Sequence, residues 1–292
     1  MNPIHQTSSR VSLRLVSPKR SARPRLAGRD AFTLIELLTV ISIIGVLAAM
    51  IVPAVAKAKV SAQVARARTE MANIIGAITS YQATYGRYPC SQFVRGVVSV
   101  DNPDFTYGTA KGDGTMLKNR LGNALPRVGN LNLPQSDDRN NSEVIEIISD
   151  LITYSSPTLV TTNANHSLNP QKIQFLQAKM VSDTKSAGVG TDYVYRDPWG
   201  NPYIITLDLD YDGKCLDGYY RQSAVSSKGV GGLTFQQPAA GASDKVNLYA
   251  ANAGVMVWSL GPDMLIGQKT ATFNPVGPGG TGYNKDNVLS WK

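Results

Sequence analysis

Twenty consecutive residues without a charge, Leu37 to Ala56, constrain this chain more than any other feature. Wound as a helix they span ~30 Å, the thickness of a bilayer's hydrocarbon core. A secretory signal places a short apolar core before its cleavage site. Here the order is reversed, with a polar, basic leader running straight into Phe32-Thr33-Leu34-Ile35-Glu36 and the apolar run behind it. Residues 1–31 carry Arg10, Arg14, Lys19, Arg20, Arg23, Arg25 and Arg29 against Asp30 alone, a net +6. Of the chain's 29 basic and 21 acidic residues, 22 and 20 remain from Phe32 onward. Most of the overall charge of +8 therefore belongs to the leader, and nucleic acid is not an expected partner. The same cluster predicts a cytoplasmic N-terminus and a body on the far side of the membrane. Glu36 stands out because a carboxylate at the edge of an apolar span costs several kcal/mol unless it is paired or reaches water.

Beyond Ala56 the pattern becomes amphipathic. Val60, Val64, Ala67, Met71, Ile74, Ile78, Tyr81 and Tyr85 alternate spacings of four and three, one stripe of a helix. Gly45, Ala48, Ala49 and Ala54 in the apolar half let helices approach closely. Gly86 and Pro89 end the helix. Two short helices are expected in the irregular stretch 93–190: Glu143–Ile152 behind Ser142, and Pro170–Met180 behind Asn169. Strands are expected at Tyr203–Leu209 and Val255–Leu260, with a hairpin turn at Tyr211-Asp212-Gly213 returning along Gly218–Arg221. The Gly/Ser/Ala-rich stretch 222–245 reads as a mobile loop. The fold class is α+β: a long N-terminal helix, membrane-spanning in its first half, packed on a small antiparallel sheet with a large loop/helix insertion.

Ala31-Phe32-Thr33-Leu34-Ile35-Glu36-Leu37-Leu38 resembles the class III signal of type IV pilins and pseudopilins, with Ala31 where that family usually has Gly. The resemblance implies a prepilin peptidase that cuts between Ala31 and Phe32 and methylates the new amine. It also implies that Glu36 pairs with a neighbouring subunit's N-terminus, and that Pro53 is the family's helix-kinking proline. Asp197-Pro198-Trp199-Gly200-Asn201-Pro202-Tyr203 resembles the Asp-Pro-Trp-Gly-x-Pro-Tyr turn of type II secretion major pseudopilins, and Tyr85-Gly86-Arg87-Tyr88-Pro89 their helix-closing loop. Trp258-Ser259-Leu260-Gly261-Pro262-Asp263 and Lys285-Asp286-Asn287-Val288-Leu289-Ser290-Trp291 resemble the two ends of their calcium loop, with Met264 where Gly is usual and 274–282 lengthening it. By that resemblance Asp263 and Asp286 are charged ligands of Ca2+, with the Leu260 carbonyl and Asn287 as neutral ones. The implied organisation is a cleaved leader at 1–31, a transmembrane half-helix at 32–56, an amphipathic half-helix at 57–86 and a periplasmic head at 87–292, whose sheet and C-terminal loop occupy 197–292.

Enzyme signatures are wanting. His5 lies in the leader and His166 in a polar loop, without partners for a zinc or triad site. Gly277 to Gly282 satisfies GxGxxG but opens no helix. Asp208-Leu209-Asp210-Tyr211-Asp212-Gly213 reads as the start of an EF-hand loop, but Tyr219 stands where the bidentate acid belongs, so an acidic hairpin is the better reading. Cys90 and Cys215 form no metal motif and permit one disulfide in an exported body. The resemblance implies a structural subunit of the inner membrane. It would polymerise with itself and other pseudopilins on an inner-membrane assembly platform, in a periplasmic fibre for type II secretion. The alternatives are a type IV pilin for adhesion, motility or DNA uptake, and a pilin-anchored binding module at 93–190.

Overall fold

The computed structural model describes residues 32–153, 160–227, 231–267 and 284–291. The leader, including His5 and Ala31, and the Gly277 to Gly282 string lie outside them. The chain divides into two units, Met1–Ala54 and Val55–Lys292. A single helix, α1 (Leu34–Tyr85), contributes to both.

In the first unit α1 is apolar around its whole circumference and every described side chain is exposed, its large apolar ones from Leu34 at 84% to Val40 at 45%. A helix of that kind needs an apolar medium around it, and its length and composition fit a single-pass membrane anchor. Pro53 lies inside it, where the missing N–H leaves one intrahelical carbonyl without its donor.

The second unit begins with the amphipathic half of α1. Ala67, Met71, Ile74, Ala77, Ile78 and Tyr81 are buried, and Val64 and Tyr85 half-buried beside them, so the predicted stripe is the packed face. Val60, its first member, stays 44% exposed. After α2 (Gln92–Gly96) come β1 (Phe105–Gly108), β2 (Arg139–Asn140) and α3 (Ser142–Ile148). These are followed by β3 (Gly188–Val189), β4 (Tyr195–Arg196) and β5 (Ile204–Leu207), then α4 (Ser223–Ser226), β6 (Leu233–Phe235), β7 (Tyr249–Ala251), β8 (Val255–Ser259) and β9 (Val288–Leu289).

The main sheet runs β2-β1-β5-β8-β9, antiparallel except for the parallel pair β1–β2. Strand periodicity sorts its side chains onto two buried faces. Tyr203, Ile205, Leu207, Val255 and Val257 join the α1 stripe, with Phe105 and Tyr107 from β1 and Val144, Ile147 and Ile148 from α3. Ile204 and Trp258 face the other way, onto Tyr219, Tyr220, Val225 and Leu289. Residues 93–190 are thus woven into the core of the head, through Val94, β1 and α3.

Four expectations are corrected. Residues 170–180 are not helical: the Asn169 side chain donates to the carbonyls of Ile147 and Ile173, Leu176 N–H bonds Ile148 O, and Lys172 takes φ +57. These tertiary ties outweigh helix propensity. Gly218–Arg221 is no return strand, because Asp217 Oδ1 accepts the N–H groups of Tyr219 and Tyr220 and winds the segment into a turn. The partners of β5 are instead β1 and β8. The stretch 222–245 holds α4 and β6, the latter paired with β7. The helix at 142–148 starts at Ser142 and stops at Ile148, four residues short of Ile152.

Candidate functional site

At the start of α1 the Thr33 and Glu36 side chains close on each other. Glu36 N–H donates to Thr33 Oγ1 at 3.3 Å, while Glu36 Oε2 accepts Thr33 N–H at 2.8 Å and Thr33 Oγ1–H at 2.7 Å. This is a capping box, which satisfies otherwise unpaired N–H groups of the helix start. Glu36 is therefore partnered within its own chain by one carboxylate oxygen. Thr33 was missed in the sequence although the Thr-x-x-Glu spacing announces it. Phe32 is 77% exposed beside it.

The Asp197–Tyr203 turn is a buried polar node. Asp197 Oδ1 accepts Trp199 N–H at 2.8 Å and Asn201 N–H at 2.9 Å, and its Oδ2 accepts Asn201 Nδ2–H and the Ser259 hydroxyl. Asn201 Nδ2 also donates to Gly261 O at 2.9 Å. Burial pushes the Asp197 carboxyl up to about 6, against the pull of the Ser259 and Asn201 donors. The two strings that resemble one family are therefore joined in space, the turn holding the strand end from which the C-terminal loop departs.

That loop brings Asp263 and Asp286 together: Asp263 N–H donates to Asp286 Oδ2 at 3.2 Å. Burial, and then the Asp286 carboxylate, raises the Asp263 carboxyl above its ordinary range. Among the described residues no donor reaches the buried Asp286 Oδ1 or the buried Asn287 Oδ1, while Asn287 Nδ2 donates to Tyr220 OH at 2.8 Å. Gly261 sits at φ +73, and a Cβ there would lie 2.3 Å from Asp286 O, so the two limbs approach as only glycine permits. Leu260 is fully buried on the core side. The two carboxylates and the donorless Asn287 Oδ1 are oxygens of the hard type that calcium accepts.

The acidic segment after β5 departs from expectation. Asp208 and Asp210 cluster with Asp104, one residue before β1, and not with Asp212, whose Oδ1 accepts Lys214 N–H at 2.8 Å. Nothing local in the sequence joins Asp104 to them. Cys90 and Cys215 are both buried and both free, so the candidate disulfide is corrected. Cys90 packs with the α1 stripe, whereas Cys215 packs with Ala251 and Met256. His166 pairs with Asp150 at 2.8 Å.

Residues 27–52 match the prokaryotic N-terminal methylation motif. The motif is the prepilin signal of type IV pilins and pseudopilins, structural subunits, and implies prepilin peptidase processing and assembly into pilus-like polymers. No curated protein and no solved structure matches the chain.

Proposed function

We propose that this pilin-like chain is a pseudopilin of type II secretion, closest in kind to the major subunit. In this reading the peptidase cuts between Ala31 and Phe32 and methylates Phe32. The head stands in the periplasm, and subunits polymerise with one another and with other pseudopilins into a short fibre that drives folded proteins outward. The observation that carries the reading beyond a generic pilin is the interlock of the Asp197–Tyr203 turn with Ser259 and Gly261 at the root of the Asp263/Asp286 loop.

Calcium fits that loop. Asp263 and Asp286 would supply charge, with Asn287 Oδ1 and the Leu260 carbonyl as neutral oxygens, and the ion would cancel the repulsion between the two acids. Glu36 supports assembly differently. Its capping bonds to Thr33 keep the carboxylate satisfied before a neighbour arrives, and a neighbour's Phe32 amine offers it an opposite charge in a medium of low dielectric. Glu36→Ala in the producing bacterium should leave insertion and cleavage intact and cut fibre yield at least tenfold. A fibre yield equal to wild type would remove the assembly role, and unimpaired type II secretion in a deletion strain would remove the secretion reading.

A further inference from the structure

The carboxylates of Asp104, Asp208 and Asp210 lie outside the turn and the C-terminal loop, and the assembly reading does not use them. One oxygen from each lies within 4.8 Å of the others, a span that ~2.4 Å bonds to a common ion bridge. Asp104 is 5% exposed and is pinned by two donors, Leu209 N–H on Oδ1 at 3.2 Å and Leu216 N–H on Oδ2 at 2.6 Å. Asp208 is 2% exposed. Its Oδ2 accepts Gly213 N–H at 2.9 Å, and its Oδ1, also buried, meets no donor among the described residues. An acceptor left buried in this way is destabilising, the more so when charged, unless something positive reaches it. Asp210 is exposed and opens on a cleft of about 530 Å³, which gives an ion a way in.

Two basic groups bear on this corner. Arg221 acts on Asp104 at a distance, but its N–H groups go to the carbonyls of Asn247 and Asp101 and to Asn102 Oδ1, with Asp244 at 3.9 Å. Lys214 lines the same cleft as Asp210. Asp104 and Asp208 are buried, and three carboxylates gathered this closely repel one another unless a counter-charge joins them.

We propose that Asp104, Asp208 and Asp210 form a second divalent-cation site, with calcium as its ion. Asp208 and Asp210 occupy the first and third positions of an EF-hand-like segment, and Gly213, at φ +80, its sixth. The acid absent at the twelfth position, where Tyr219 stands, is replaced in space by Asp104, one residue before β1. Calcium is favoured over magnesium because it accepts protein oxygens in irregular geometry, whereas magnesium demands a near-ideal octahedron and keeps several of its waters.

Calcium uptake by the detergent-solubilised full chain, measured by equilibrium dialysis, tests the site independently of the C-terminal loop. Wild type should bind two ions. Asp263→Ala should retain one, and adding Asp210→Asn or Asp208→Asn to it should weaken the remaining binding at least tenfold. Asp212→Asn should retain it, and Asp208→Asn, a neutral isostere, should leave the far-ultraviolet circular dichroism unchanged. Loss of all uptake in Asp263→Ala alone overturns the second site, as does uptake indifferent to Asp208→Asn and Asp210→Asn. Uptake lost with Asp210→Asn but untouched by Asp263→Ala upholds this site and removes the C-terminal one.

Discussion

Replacing Asp197 by Asn and by Ala separates two opposed effects at one buried carboxylate. Two backbone donors, Trp199 N–H and Asn201 N–H, end on Oδ1. Asn keeps an acceptor for both, whereas Ala leaves both buried and unmade. At ~1–2 kcal/mol for each orphaned donor, Ala should be less stable than Asn by ~2–4 kcal/mol. The charge works in the other direction. Burial raises the Asp197 carboxyl from 3.8 to about 6, so between these values the native chain holds a proton that the unfolded chain has lost. Stability from this group therefore falls as pH rises through that window, by ~3 kcal/mol once pH 7 is reached. Asn carries no such proton, so its stability relative to wild type should improve by that amount between pH 4 and pH 7. Urea unfolding of the solubilised chain in chelator, followed by tryptophan fluorescence, reads both, since Trp199 lies within the turn. Equal stability of the Ala and Asn variants, or a gap between wild type and Asn that does not move with pH, would refute the reasoning.

Intact-mass analysis of membrane-extracted protein should show loss of residues 1–31 plus one methyl group; a full-length species alone would exclude cleavage at Ala31–Phe32. The solubilised chain should melt higher in calcium than in chelator, by ~2.7 kcal/mol of added stability for each site when free calcium is a hundredfold above its dissociation constant. Asp263→Ala should remove the part due to the C-terminal loop, and an unchanged calcium response in that variant would end that assignment. Ile74→Ala, in the fully buried stripe of α1, should cost ~2–5 kcal/mol, whereas Val60→Ala should cost under ~1 kcal/mol; equal costs would contradict the packing of the helix face.

The features legible in the sequence were those with a short period or a fixed local spacing. The α1 stripe from Val64 to Tyr81 declared itself because 3.6-residue periodicity repeats over five turns, and β5 and β8 because their apolar runs are bounded by turn residues. β1 was not legible: four residues, Phe105–Gly108, sit among Asn, Pro and Gly with no alternation to mark them. The failure at 170–180 was of another kind, since a real capping signal at Asn169 was outbid by side-chain bonds to Ile147 and Ile173. At the candidate sites, Asp263 met Asp286 because both ends of the loop were recognisable strings. Asp104 could not be found in advance, because its approach to Asp208 depends on β1 pairing with β5, a long-range fact without a local trace.

The two outermost strands of the main sheet, β2 and β9, are two residues each. Growth of a fibre by adding a neighbour's strand to a sheet edge requires a long, regular row of open N–H and C=O groups, and neither border provides one. Short borders argue against assembly by strand addition at this sheet, and the exposed apolar half of α1 is the surface expected to carry subunit contacts instead. Fibres of it should accordingly dissolve in detergents that solvate helices and give no cross-β diffraction, with the head as well ordered in the free subunit as in the filament.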